Sequence, residues 1–88
     1  MSKIQNFTTY ANRFIFTFTK PNKVKFYDTD TDNWGNAPNL PHRFEEGNAC
    51  CVKEMIYFVS NDFDNGGWKL NFERINADKV ATGEIHHG

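Results

Sequence analysis

The fold of this chain is constrained most strongly by residues 13–19, where phenylalanine recurs at every second position. Successive side chains of a β-strand point to opposite faces, so Phe14, Phe16 and Phe18 share one face, and rings of this size predict that the face is buried. A turn containing Pro21 follows, and residues 24–28 alternate again. The pattern therefore predicts a β-hairpin with an aromatic inner face.

Residues 48–64 decide much of the remaining fold, because they fit two kinds of secondary structure. As a helix capped by Asn48, the segment places its apolar side chains on one stripe. As a strand, it is rich in β-branched and aromatic residues, but Glu54 then shares a face with Val52 and Ile56. The helical periodicity is the better match, and the sequence predicts a helix here.

The run that follows, residues 68–73, again alternates apolar and polar side chains, after the strong turn signal DNGG at positions 64–67. This pattern predicts a strand. We expect its three apolar residues to join the core: Trp68, Leu70 and Phe72.

These elements predict an α+β fold in a single domain that spans residues 1–88. The expected architecture is a small antiparallel sheet of three to four strands with a leading hairpin and one helix packed on it, in the order β-β-α-β. The alternative is an all-β antiparallel meander or small barrel. Residues 2–11 fit a short helix and a strand equally well, and residues 77–88 are expected to form an edge strand or a mobile tail.

Composition and charge exclude several classes of protein. A net charge of −1 provides no overall attraction to nucleic acid or anionic lipid. The beginning of the chain resembles neither a signal peptide nor a membrane span, so a cytoplasmic location is expected. Cys50 and Cys51 are adjacent and cannot readily bond to each other, which fits a reducing compartment and predicts that both are buried as small apolar groups.

The motifs for metal binding and catalysis are incomplete. Asp28, Asp30 and Asp32 match the first ligand positions of an EF-hand loop, but Asn33 and Asn39 stand where that loop requires glycine and glutamate. Solvated turn carboxylates are therefore favoured over a weak Ca²⁺ or Mg²⁺ site. The cysteines lack zinc-site spacing, and no nucleophile, acid and base stand in a recognisable arrangement. We expect no metal, no cofactor and no enzymatic activity.

Residues 28–47 show neither helical nor strand periodicity and predict a long surface loop. A tryptophan surrounded by aspartate and asparagine is typical of hot spots in protein interfaces. We therefore expect a protein-binding module whose contact surface for another protein lies in this loop; the competing interpretation is that the tryptophan folds back onto the core. The expected contact residues are Asp30, Asp32, Trp34 and Asn36.

The alternative function is single-stranded nucleic-acid binding by the Phe/Lys hairpin, in which aromatic rings stack on bases and cations meet phosphates. The near-neutral charge disfavours it. Its candidate residues are Arg13, Lys20, Lys23, Lys25 and Tyr27. Self-association through a sheet edge near residue 75 is a further hypothesis. Small motif-free chains of this composition also occur among phage and mobile-element products, which suggests an inhibitor or regulator.

Overall fold

A computed structural model describes residues 4–64 and 66–83 and has seven β-strands followed by one short helix. Strands β1 to β4 form one antiparallel sheet in chain order, and β5 to β7 form a second. The elements are β1 Ile4–Tyr10, β2 Phe14–Thr19, β3 Lys23–Asp28, β4 Asn33–Asn36, β5 Glu46–Val52, β6 Met55–Asp64, β7 Gly67–Asn76 and α1 Ala77–Ala81.

The predicted aromatic hairpin is confirmed as β2 and β3. Phe16 lies opposite Phe26, Phe18 lies opposite Val24, and both Phe16 and Phe18 are fully buried. Phe14 is buried as well. The sequence left residues 2–11 open between helix and strand, and the described part of this segment, from Ile4 onward, is the edge strand β1.

The helix predicted for residues 48–64 is wrong, and with it the order β-β-α-β. These residues form most of the β5–β6 hairpin, in which Val52 pairs with Met55 across a two-residue turn. Lys53 adopts a positive φ of 58° in this turn. Glu54 therefore lies outside both strands, so a strand no longer requires this charged residue to share a face with Val52 and Ile56. The architecture consists mostly of antiparallel sheet with one short helix, closer to the all-β alternative.

The core lies between the two sheets and is built largely from stacked rings. Phe18 of β2 and Phe58 of β6 are parallel, with centroids 4.3 Å apart, and Phe44 meets Phe58 edge-on at 5.0 Å. All three side chains are 1% exposed or less. Each buried aromatic ring removes a large apolar area from water, so these three rings hold the two sheets together.

The segment 37–45 closes the core on one side, where a featureless surface loop was expected. Leu40 and Phe44 are buried within it. Its backbone bonds run from one sheet to the other: Leu40 donates to the carbonyl of Asn22 at 2.9 Å, and Glu45 donates to the carbonyl of Asn61 at 2.8 Å. The predicted loop 28–47 is thus divided into the strand β4, this segment and the start of β5.

The helix α1 replaces the edge strand or mobile tail predicted after residue 76. The Asn76 side chain caps it by accepting a bond from the Lys79 amide at 3.0 Å, and Val80 is buried against the core. Tyr10 of β1 donates a hydrogen bond to Asp78 at 2.9 Å, which ties the helix to the first sheet. Positions 84–88 of the predicted tail lie outside the described residues.

Candidate functional site

The β3–β4 turn carries two of the four predicted contact residues, Asp30 and Asp32, and it is anchored by Arg13, which directly precedes β2. Arg13 donates two hydrogen bonds to the Asp28 carboxylate, at 2.8 and 2.7 Å, and its Nε lies 3.3 Å from Asp30. Thr29 donates to the Arg13 carbonyl at 2.7 Å. The bidentate pair fixes the orientation of the turn relative to the sheet.

Hydrogen bonding controls the charge state at the base of this turn. The Arg13 guanidinium holds the pKa of Asp28 well below its usual range, and the Asp30 backbone N–H, which bonds the same carboxylate at 3.0 Å, acts in the same direction. Asp28 therefore stays ionised in all but strongly acidic solution. Asp30 and Asp32 are exposed, and Asp32 turns the chain with a positive φ of 59°.

Trp34 lies on β4, with its ring on the outer face of the four-stranded sheet rather than in the core. It is 58% exposed and contacts the Tyr27 ring, with a centroid separation of 5.2 Å. Phe7 of β1, which is 63% exposed, and Ile15 of β2 line the same shallow groove, whose floor is Thr17. We call Phe7, Ile15, Tyr27 and Trp34 the outer cluster.

Gly35 explains why Trp34 faces outward. Strand alternation puts residue 35 on the inner face, where it pairs with Phe26. A Cβ at this position would overlap the Phe26 ring, so only glycine allows that ring to cover the backbone of β4. The residue on either side must then point to the outer face, which places Trp34 beside Tyr27 and Asn36 opposite Lys25.

The residues predicted for nucleic-acid binding separate into two groups. Lys23, Lys25 and Tyr27 occupy alternate positions of β3 on the outer face, opposite Thr19, Thr17 and Ile15. Arg13 is bound to Asp28 and Asp30, and Lys20 forms an ion pair with Glu45 at 3.0 Å. The phenylalanines of β2 are buried, so the bases would have to stack on the outer cluster.

Sequence reasoning missed Phe7 and Ile15 as members of this surface. Ile15 separates two buried phenylalanines in the chain, so the alternation that identified the core face also placed it on the opposite face. Phe7 could not be assigned, because residues 2–11 fitted a helix and a strand equally. Only the register, in which Phe7 faces Thr17, brings it beside the groove.

A second exposed apolar surface lies on the β6–β7 hairpin, and it corrects the prediction for Trp68, Leu70 and Phe72. The strand is confirmed, but these side chains are 63%, 76% and 61% exposed. Their inner neighbours are mostly polar. These three side chains share the outer face of the hairpin with apolar residues of β6, and we call the whole set the ribbon face: Tyr57, Val59, Phe63, Trp68, Leu70 and Phe72.

The two cysteines are free thiols in different environments. Cys50 is exposed on the outer face of β5, which contradicts its predicted burial, whereas Cys51 is partly buried and its thiol contacts the Lys53 carbonyl at 3.2 Å. Burial raises the pKa of the Cys51 thiol. Within residues 4–64 and 66–83, no group of three or more His, Cys, Asp or Glu side chains is placed to hold a metal ion.

No helix in the described part of the chain is long and apolar enough to cross a membrane. Comparisons of the chain with protein-family models, with curated proteins and with solved structures find no match.

Proposed function

We propose that this protein is a small non-enzymatic binding module that recognises another protein through the outer cluster and the β3–β4 turn. The observation that carries the proposal is the exposure of Trp34, 58%, in a hairpin whose backbone is held from the inside by Phe26 over Gly35. A large aromatic side chain presented on a rigid strand loses little conformational freedom on binding. Tryptophan is also the residue type most enriched at interface hot spots.

The charges around the outer cluster indicate the chemistry of the partner. Arg13 pairs with Asp28 and lies 3.3 Å from Asp30, so one cation accompanies three carboxylates; the Asp30 side chain is 68% exposed, and Asp32 is exposed beside it. An apolar side chain in the groove next to Trp34, accompanied by a lysine or arginine near this turn, would be complementary to both features. A protein that acts by binding alone would serve as an inhibitor or regulator of that partner.

The proposal is tested by affinity capture with the purified protein, followed by titration against the captured partner once it is purified. Trp34→Ala should weaken binding at least tenfold, and Asp30→Asn combined with Asp32→Asn should weaken it in a salt-dependent manner. Lys79→Ala, an exposed position on α1, is the matched control and should bind normally.

Thermal melting separates a contact residue from a structural one. Because most of the Trp34 ring is already in water, Trp34→Ala should cost at most about 2 kcal/mol of unfolding free energy. The proposal is wrong if Trp34→Ala fails to fold and no captured protein needs Trp34 for binding.

A second candidate, single-stranded nucleic-acid binding, is favoured by one specific observation. Tyr27 and Trp34 are in contact on the same face as Lys23 and Lys25. Stacking rings beside lysine side chains are what single strands require. The two carboxylates at Asp30 and Asp32 weaken the electrostatic part of this candidate.

Fluorescence titration with a labelled oligothymidylate at low salt tests this second candidate. Affinity that falls steeply with added salt and is lost in Lys23→Ala/Lys25→Ala supports it. The absence of binding at low salt removes it and leaves the protein-binding proposal unaffected.

A further inference from the structure

The ribbon face is unusual because β7 places its apolar residues on the solvent side and mostly polar residues on its inner side. On β7, Glu73 and Asn71 lie on the inner face, opposite Phe58 and Ser60. The outer residues alternate with them and are exposed. Burial within this chain therefore does not account for the alternation of apolar residues on β7.

The size of the ribbon face fits a weak, concentration-dependent interface. The rings of Phe63, Trp68 and Phe72 are 55% to 63% exposed, which leaves roughly 80–150 Å² of each in water. With Leu70 and Val59 the face exposes roughly 400–500 Å² of apolar surface, as large as the largest patches on typical monomers. Two such faces in contact would bury about 800–1,000 Å² of apolar surface, an area typical of weak association.

The charges of the ribbon face restrict what can cover it. On the outer side of the described part of this sheet two residues are charged: Arg74, at one end opposite Tyr57, and Glu46 of β5, which pairs with Asn61. A strongly charged partner would leave its own charges unpaired against this surface. An identical face is a good match, because a two-fold axis across the strands keeps the Arg74 residues of the two copies at opposite ends.

We propose that the ribbon face is the interface of a homodimer, in which a second copy of this chain packs the same face against it. The arrangement is isologous, with Leu70 near the centre and the Phe63 and Trp68 rings, 5.4 Å apart, at its edge. Two sheets packed in this way bury their facing side chains, whereas pairing of two β7 edges alone would leave the rings in water.

The dimer does not depend on the protein-binding proposal, because Trp34 lies on the other sheet.

The same separation allows tryptophan fluorescence to report on the ribbon face alone. The chain has two tryptophans, so Trp34→Phe leaves Trp68 as the only one. Sedimentation equilibrium of this variant between about 10 and 200 µM should show the mass rising from monomer towards dimer. The Trp68 emission should shift to the blue, and its quenching by acrylamide should fall in parallel.

Leu70→Lys provides the decisive variant, because the residue is 76% exposed and we expect its replacement to leave the monomer folded. Each dimer loses two buried leucines, so the dimer should weaken at least about 100-fold, with an unchanged circular dichroism spectrum. Phe7→Lys, a change of similar size on the outer cluster at 63% exposure, is the matched control and should dimerise normally.

Three results would overturn the proposal. The protein could remain monomeric at about 200 µM, or Leu70→Lys could dimerise as well as the parent. The third is a dimer in which Trp68 stays fully accessible to acrylamide, which would indicate edge pairing or a different surface.

Discussion

Phe58 and Phe72 lie on paired strands but on opposite faces of the hairpin, and replacing each by alanine tests which face is the core. Phe58 is 0% exposed and stacked on Phe18, whereas Phe72 is 61% exposed. Removing the Phe58 ring takes away about 200 Å² of buried apolar surface and leaves a cavity between the sheets. Phe58→Ala should therefore lower the free energy of unfolding by about 3–5 kcal/mol.

Phe72→Ala should have a much smaller effect. Only about two fifths of that ring is covered, roughly 80 Å², which sets an upper limit of about 2 kcal/mol at 25 cal/mol per Å². Because no enclosed cavity forms, the expected loss is about 1 kcal/mol.

Urea denaturation followed by far-ultraviolet circular dichroism measures both variants. The protein should be kept at a few µM so that self-association does not contribute to stability. The unfolding slope should be similar in the two variants, and only the midpoint should differ. If Phe72→Ala costs as much as Phe58→Ala, the ribbon face is buried, and the division between inner and outer faces described above is wrong.

Three other measurements test separate parts of the structure. Gly35→Ala should lower stability by about 1–3 kcal/mol in the same denaturation assay, because its Cβ would overlap the Phe26 ring; an unchanged midpoint would contradict this packing. Asp28 has a lowered pKa in the folded state, so the stability from its bond to Arg13 is present above about pH 4 and is lost as the pH falls further. Asp28→Asn should therefore flatten the pH dependence of the urea midpoint below about pH 4. An unchanged pH dependence would refute the contribution of this bond to stability. Iodoacetamide at pH 8 should alkylate Cys50 before its partly buried neighbour, as peptide mass spectrometry can show; the reverse order would contradict the assigned exposures.

The β2–β3 hairpin could be predicted because its signal is local. Alternating phenylalanines on one strand and a proline turn lie within about fifteen residues, and together they predict two strands joined by a tight turn. Phe16 and Phe18 are buried on the face that this pattern marked as apolar. No distant contact was needed to reach this conclusion.

Residues 48–64 show where local signals become ambiguous. Their apolar residues satisfy both a helical stripe and a strand, and the choice depends on a two-residue turn at Lys53 and Glu54. That turn is stabilised by the pairing of the two strands that it joins. The periodicity of apolar residues within the segment carries no information on this pairing and therefore could not predict the turn.

The candidate sites depended most on tertiary structure. Exposed Trp34 was expected from its neighbours in the chain, but its contact with Tyr27 and its proximity to Phe7 come from strand register. Alternation on β7 correctly predicted a strand and wrongly predicted which face is buried. A period of two specifies that two faces differ but not which one meets the rest of the protein, because that choice is made by packing between sheets far apart in the sequence.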